Sequence, residues 1–125
     1  MPKKIFLISP VRKVSQEEKV RLLEYVSKLE LDGHQVYLPS RDTNQDDAIG
    51  LNICQANRKA IEEADEIHIY YSKNSEGIPF DFGMTFMARK PLFIVNREDV
   101  PKTSYKSFTN VLLALDEKYR KENNI

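Results

Sequence analysis

A chain of 125 residues with 41% hydrophobic and 30% charged residues has the size and composition of one globular domain, residues 1–125. Lysine plus arginine and aspartate plus glutamate are both 19, so there is no basic footprint of the kind that binds nucleic acid. Cys54 is the only cysteine, which excludes an internal disulfide, and no Cys/His cluster has metal-ligand spacing.

The apolar run near the N-terminus follows Met-Pro-Lys-Lys and is too short for a signal peptide or a membrane span. We therefore expect a cytoplasmic protein without a membrane partner, a nucleic-acid partner, a metal or a cofactor.

The first half of the chain alternates between strand and helix patterns. Residues 4–9 (KIFLIS) predict strand one, and Ser15 followed by Glu18 is a capping box that starts helix one. Gly33 ends that helix, residues 35–38 predict strand two, and residues 39–47 predict a polar loop. The apolar face of helix one is predicted to consist of Val20, Leu23, Val26 and Leu29.

The second half continues the alternation. Helix two is predicted over residues 48–64, and strands three and four over residues 67–71 and 92–95. Asn57 falls on the apolar stripe of helix two, where it makes either a structural hydrogen bond or a ligand contact. The inner stripes are predicted as Ile49, Ile53, Ala60, Ile61 and Ala64 in helix two, and Phe108, Val111, Leu112, Leu115 and Tyr119 in the last helix.

Strict alternation of strands and helices predicts a three-layer α/β fold, flavodoxin-like or Rossmann-like, with helices on both faces of a parallel sheet. Right-handed crossovers favour the strand order 2-1-3-4, with a fifth short strand near residues 96–105 weakly signalled. His68 lies inside strand three, where a packed, hydrogen-bonded role is expected.

Three loops should converge at the carboxyl edge of this sheet, where open α/β sheets bind ligands. Ser9 and Arg12 precede helix one and could hold a phosphate, although a solvated arginine is the commoner outcome. Arg41 belongs to the second of these loops. The turn lacks glycine and matches neither a Walker A nor a GxGxxG pattern.

The third loop carries the most informative stretch, residues 75–84 (SEGIPFDFGM). Pro79 suits the first turn of a helix, and Asp81 is expected in that turn, where the dipole favours a carboxylate. Gly77 allows close backbone approach. Either Asp81 only caps and charges the helix start, or it faces a ligand.

Three segments resemble the nucleoside 2-deoxyribosyltransferase superfamily, which includes nucleoside 5′-monophosphate N-glycosidases and is distantly related to Toll/interleukin-1 receptor domains. They are KIFLISPVR, ANRKAIEEADEIHIYY and SEGIPFDFGMTFMARKPLFIV. The resemblance implies that Asp81 takes the place of the nucleophilic glutamate. Ser75 and Asn57 stand where the family has aspartates.

The resemblance implies further contacts with a small nucleoside or nucleotide. Phe6 lies near the first-strand tyrosine of the family, and the turn ending in Arg12 is similar to a loop that grips a 5′-phosphate. Asn110 resembles a late asparagine that reaches a neighbouring subunit's site, which implies a homodimer or a larger homo-oligomer.

Three functions remain open from the sequence. The first is an enzyme that cleaves or transfers an N-glycosidic bond, with Asp81 attacking the anomeric carbon. The second is a nucleotide-binding or regulatory module that keeps the cleft without cleavage. The third is an interaction domain without a ligand.

Overall fold

The predicted strands pair into one parallel sheet in the order β2-β1-β3-β4, so the flavodoxin-like α/β fold is confirmed. The computed structural model describes residues 1–125. Its elements are β1 (Lys4–Ile8), α1 (Gln16–Leu31), β2 (Gln35–Tyr37), α2 (Pro39–Asp42), α3 (Leu51–Glu63), β3 (Glu66–Ile69), α4 (Gly77–Met87), β4 (Leu92–Ile94), a 3-10 turn (Arg97–Asp99) and α5 (Phe108–Glu122).

The central strand is buried from both sides, because helices pack on both faces of the sheet. Alternate side chains of β1 enter two separate apolar clusters. Phe6 and Ile8 pack with Ile61 of α3 and Ile78 of α4. Leu7 points to the opposite face, where α1 covers the sheet. No helix of the chain has the length and apolar character that crossing a membrane requires.

Helix α1 begins as predicted, but only half of its predicted apolar face, Val26 and Leu29, packs on the sheet. The Ser15 hydroxyl accepts a hydrogen bond from the Glu18 N–H at 3.1 Å, and the Glu18 carboxylate accepts from the Ser15 N–H at 3.3 Å. Val20 and Leu23, predicted as core, are 44% and 54% exposed. The helix carries two overlapping apolar stripes, and the one containing Leu22 and Val26 meets the sheet.

Helix α3 begins three residues later than predicted, because Asp47 caps it from outside. Its carboxylate accepts from the backbone N–H groups of Asn52 at 2.8 Å and Ile53 at 3.2 Å. Gly50 has a left-handed φ of +95°, which suits glycine at the helix start. Ile49, predicted on the inner stripe, therefore lies outside the helix and is 90% exposed.

No fifth strand forms beside β4, because side chains from α5 already bind its outer edge. The Ile94 N–H donates to Asp116 at 2.8 Å, and the Ile94 carbonyl accepts from Arg120 at 3.0 Å. An edge strand satisfied in this way has no free groups to pair another strand. The inner face of α5 is formed by Leu112 and Asp116, while Phe108, predicted as core, is 82% exposed.

The opposite edge of the sheet is satisfied by a similar pair of side chains. Helix α2, which was predicted as irregular loop, places Arg41 and Asp42 beside β2. Arg41 donates to the Val36 carbonyl at 2.8 Å, and Asp42 accepts from the Leu38 N–H at 2.9 Å. Both edges of this small sheet are thus bound by an arginine and an aspartate.

Candidate functional site

Asp81 is a buried carboxyl group without a partner. It is 8% exposed, and burial is the cause that raises the pKa of its carboxyl to about 7. Among the side-chain polar atoms that are fully enclosed, only Ser9 Oγ lacks a hydrogen bond. The Asp81 carboxyl oxygens also lack one, so they are not fully enclosed and still reach solvent. Asp81 is therefore a desolvated acid whose oxygens still reach the surface, and carboxyls in such surroundings are often functional.

The expectation that the helix dipole favours the ionised form of Asp81 is wrong. Helix α4 begins at Gly77 and has no acidic residue in its first turn, so Asp81 lies beyond the strongest part of the dipole. A dipole effect is worth about 0.3–1 kcal/mol. Raising a carboxyl pKa from 3.8 to about 7 corresponds to roughly 4 kcal/mol, so desolvation dominates.

Helix α3, which carries Cys54, packs against α4. Burial raises the pKa of the Cys54 thiol, and the nearby charges of Asp81 and Asp47 raise it further. Cys54 is half-buried rather than part of the core.

Ser9 and Arg12 lie in the turn between β1 and α1. Ser9 is 7% exposed, and its hydroxyl has no hydrogen-bond partner, which costs about 1–3 kcal/mol when a buried polar group stays unsatisfied. Arg12 is exposed and enters none of the ion pairs of the chain. Lys13 has a left-handed φ of 56°, which is uncommon for a residue with a side chain. A buried free hydroxyl, a free guanidinium and a strained turn thus occur together.

The N-terminus of α1 itself offers little to an anion. Its capping box is complete, and Glu17 and Glu18 occupy the first turn. Any phosphate site at this turn therefore depends on Ser9 and Arg12 more than on the helix dipole.

Asn57 is 6% exposed and makes the structural hydrogen bond that was one of its two predicted roles. Its Oδ1 accepts from the hydroxyl of Thr43, which is 2.9 Å away. The Thr43 hydroxyl in turn lies 2.6 Å from the Tyr37 hydroxyl. The other end of the Asn57 amide, Nδ2, has no partner within the chain.

Ser75 and Gly77 form the entry to α4. The Ser75 hydroxyl accepts from the Ile78 N–H at 3.3 Å, so it helps to cap the helix and keeps its own proton free to donate. A Cβ added at Gly77 would meet only Ser75 Oγ at 3.9 Å. The chain leaves open space there, and the close approach expected at Gly77 stays a prediction about a ligand.

Three of the predicted contact residues are occupied within the chain. Phe6 is fully buried and stacks on Tyr37, with ring centroids 5.4 Å apart. Arg41 binds Asp42, Glu30 and the Val36 carbonyl, and the hydrogen bonds that it donates to Asp42 raise its pKa above the ordinary value. The structure does not bring these side chains to Asp81.

Asn110 is occupied in the same way. Its Oδ1 accepts from the Thr103 N–H at 2.9 Å, and its Nδ2 donates to the carbonyls of Thr103 and Tyr105 at 3.1 and 2.8 Å. In this chain its amide holds the loop before α5, and a contact with a neighbouring subunit stays a prediction.

The sequence patterns did not single out Tyr37 or Thr43. Thr43 and Asn57 are 14 residues apart, and no motif links them. His68 was interpreted correctly as packed and hydrogen-bonded, since its ring nitrogens contact Tyr25 at 2.6 Å and Glu66 at 3.0 Å.

A cavity of about 580 Å³ lies between β2 and α3, away from Asp81. Its lining includes Phe6, Tyr37, Arg41 and Ala60. The unpartnered carboxyl of Asp81 and the free hydroxyl of Ser9 do not line this cavity. No group of three or more His, Cys, Asp or Glu side chains in the chain is arranged to hold a metal ion.

Neither a family model nor a curated protein matches the chain. Solved structures do match it. A 2-deoxyribosyltransferase from Bacillus psychrosaccharolyticus has 17% sequence identity and a TM-score of 0.60, over 90% of this chain and 95% of that one. The CMP N-glycosidase BcmB from Clostridium botulinum has 16% identity and a TM-score of 0.59, over 98% and 100%.

A conserved protein from Enterococcus faecalis V583 has 12% identity and a TM-score of 0.70, over 94% of this chain and 88% of that one. At identities this low, the likeness concerns the path of the backbone. The chain has the α/β fold of the 2-deoxyribosyltransferase and CMP N-glycosidase structures.

Proposed function

We propose that the protein is a cytoplasmic enzyme that cleaves or transfers the N-glycosidic bond of a nucleoside or a nucleoside 5′-monophosphate, with Asp81 as the nucleophile. The observation that carries this proposal is the buried, unpartnered carboxyl of Asp81 at the carboxyl edge of the sheet. The similarity to a 2-deoxyribosyltransferase and a CMP N-glycosidase supports it.

In the proposed reaction, the Asp81 carboxylate attacks the anomeric carbon of the sugar, and the electrons of the carbon–nitrogen bond leave with the base. The base takes up a proton from water. A water molecule or a second base then attacks the anomeric carbon and releases Asp81. Ser9 and Arg12 hold the 5′-phosphate, while Asn57 and Ser75 contact the sugar or the base.

The ionised form of Asp81 is the nucleophile in this scheme. Because burial raises the pKa of its carboxyl to about 7, the fraction that can attack grows as the pH rises through neutrality. The rate of the covalent step should therefore increase over that range, unless another group limits it.

A binding module is the second candidate, and one observation favours it. Asn57 and Ser75, which stand where the resembling family has aspartates, are neutral side chains that cannot donate a proton to the leaving base as an acid would. A protein with this cleft could bind a nucleotide and release no product.

The deciding experiment incubates the protein with a panel of nucleosides and 5′-monophosphates. Free base is measured by chromatography, and ligand binding by thermal shift. Released base supports the enzyme, and a thermal shift without release supports the binding module. If neither release nor a shift is observed, the interaction domain is the remaining function.

Variants at position 81 then test the assigned role. Asp81→Asn should abolish base release while nearly preserving binding, because the amide keeps the size of the carboxylate without its charge. Asp81→Glu lengthens the side chain, so activity should appear or rise if reach is the only defect. Asp32→Asn, an exposed acid at the far end of α1, is the matched control. Unchanged activity in Asp81→Asn would overturn the assignment.

We also propose a homodimer or a larger homo-oligomer. The exposed side of α4 carries Phe80, Phe86 and Met87, which are 55%, 60% and 84% exposed. A contiguous apolar surface of this kind is usually covered by a partner. Light scattering at micromolar concentration tests the assembly, and replacing Phe86 by Lys should shift a dimer toward the monomer. A monomeric mass for the native chain would overturn this proposal.

A further inference from the structure

Gly83 lies in the middle of α4, where nothing within the chain requires a glycine. A Cβ added to it would meet no atom within 4 Å, so no neighbouring segment needs the space. The backbone does not need glycine either, because the glycines with a positive φ are Gly33 and Gly50. Glycine destabilises the interior of a helix relative to alanine. No contact within the chain compensates for that loss at Gly83.

The surface around Gly83 is apolar on every side along the helix. The neighbours of a residue on the same helical face lie three and four positions away. For Gly83 these four positions are all apolar and exposed: Pro79, Phe80, Phe86 and Met87. We call these four residues and Gly83 the α4 face. The α4 face is therefore a hole with an apolar rim and a glycine at its centre, while Asp81 is buried on the opposite side of the helix.

The two ends of α4 carry charges of opposite sign without partners. Glu76 is exposed at the N-cap, and Arg89 is exposed two residues after the last residue of the helix. Neither side chain enters an ion pair within the chain. They lie seven and six residues from Gly83, on opposite sides of it. An antiparallel second copy that crosses at Gly83 therefore brings its Arg89 near Glu76, and its Glu76 near Arg89.

The apolar residues match in the same way. Pro79 and Met87 are each four residues from Gly83, and Phe80 and Phe86 are each three residues away. In the antiparallel crossing, Phe80 lies beside the partner's Met87, and Pro79 lies beside the partner's Phe86. The α4 face is thus complementary to itself under a two-fold rotation, in the spacing of its apolar residues and in its end charges.

We propose that two copies of the chain associate through the α4 face, with the two helices antiparallel and crossing at Gly83. This inference rests on the homo-oligomer proposed above and is independent of the proposed reaction. The missing Cβ lets the two backbones approach closely, and the apolar rims fill the space beside the crossing. The pairs of Glu76 with the partner's Arg89 fix the antiparallel direction. A second copy fits better than a different protein because the surface complements itself.

Cysteine cross-linking tests the crossing point, because a residue on a two-fold axis meets its own copy. In a Cys54→Ser background, Gly83→Cys should form an intermolecular disulfide under mild oxidation, since a disulfide requires Cα atoms within about 7 Å. Ala114→Cys, at an exposed position of α5, is the matched control and should stay monomeric on non-reducing gels. Cross-linking at Gly83 no faster than in the control would overturn the crossing point.

A mixture of two cysteine variants tests the direction of the helices. In the same background, Phe80→Cys mixed with Met87→Cys should cross-link faster than either variant does with itself, because antiparallel helices place these residues side by side. Parallel helices would bring each residue to its own copy and reverse that order. The reversed order would overturn the antiparallel arrangement.

Added bulk separates a close crossing from an apolar surface that is merely adhesive. Gly83→Leu enlarges the apolar area, so it would strengthen a contact that depends on area alone. At a close crossing the leucine forces the helices apart, and the dissociation constant of the dimer should rise roughly tenfold or more. Ala114→Leu, the matched control on α5, should leave it within about twofold of the native value. Analytical ultracentrifugation over a dilution series measures both.

The outcomes distinguish this inference from the proposals on which it builds. A dissociation constant that Gly83→Leu leaves unchanged or lowers would overturn the crossing at Gly83 and leave the homo-oligomer standing. Unfolding curves show that each variant still folds. A monomeric native chain would overturn the homo-oligomer and this inference together. The release of free base in the nucleoside panel decides the proposed reaction separately from all of these results.

Discussion

Asp81 and Asp116 are both buried, but the surroundings of the two carboxylates are opposite. Asp116 is fully buried and accepts hydrogen bonds from the Ile94 N–H and from the guanidinium groups of Arg97 and Arg120. Asp81 has no partner, and burial raises its pKa to about 7. A buried charge that is fully paired holds structure together, whereas an unpaired one destabilises the fold and stays available for chemistry.

The largest effect should come from removing the paired carboxylate. Asp116→Ala leaves the Ile94 N–H without an acceptor, removes the carboxylate that binds Arg97 and Arg120, and so loosens the edge of β4. We expect a loss of about 3–5 kcal/mol in the free energy of unfolding, measured by urea denaturation. Glu117→Ala, at an exposed neighbouring position, should change it by less than about 0.5 kcal/mol. Similar small losses in both variants would show that Asp116 does not hold the edge.

Removing the unpaired carboxylate of Asp81 should instead raise the free energy of unfolding. The folded protein binds the Asp81 proton more tightly than the unfolded chain, because the pKa is about 7 rather than 3.8. The contribution of Asp81 to the free energy of unfolding is therefore fully present below about pH 4 and is lost as the pH rises to about 7. Asp81→Asn is neutral throughout, so it should be more stable than the native protein by on the order of 2–4 kcal/mol at pH 8.

Urea denaturation at pH 4, 6 and 8 would measure this difference, which should nearly vanish at the lowest pH. A constant difference across the series would mean that Asp81 has an ordinary pKa. Asp32→Asn again serves as the control, since its carboxylate is exposed at the end of α1.

The third prediction concerns Arg12, which has no ion-pair partner within the chain and is proposed to bind the phosphate of a ligand. Arg12→Ala should weaken binding of a 5′-monophosphate by roughly 1.5–3 kcal/mol, the loss of a charged hydrogen bond. The unphosphorylated nucleoside should be affected less. Lys19→Ala, another exposed cation near the start of α1, is the matched control. Equal weakening of both ligands in calorimetry would show that Arg12 does not bind the phosphate.

The smallest effect is expected at the other edge of the sheet. Arg41 and Asp42 bind β2 as Arg120 and Asp116 bind β4, but their side chains are 41% and 28% exposed. Water can replace most of what Arg41→Ala removes, so we expect a loss of only about 0.5–1 kcal/mol in the free energy of unfolding. A loss as large as that of Asp116→Ala would contradict the inference that such a pair stabilises the sheet edge more when it is buried.

Local sequence patterns were sufficient to predict the strand order of the sheet and the start of α1. Apolar runs such as KIFLIS specify buried strands wherever they occur, and alternation with helices restricts the strand order to a few right-handed solutions. The capping box of Ser15 and Glu18 involves neighbours in sequence, so its formation follows from the sequence directly. The place of Asp81 after β3 was also predictable from the sequence, although Asp81 lies beyond the first turn of α4 and not within it.

The tertiary structure alone decided three features: the pKa of Asp81, the hydrogen bond between Thr43 and Asn57, and the binding of β4 by α5. Each depends on groups that are distant in sequence, and desolvation depends on how completely the packed helices exclude water. The same reason explains the buried face of α1. Two apolar stripes that share Val26 fit its periodicity, and only the tertiary packing determined that Leu22 is buried beside Val26 while Val20 and Leu23 stay exposed.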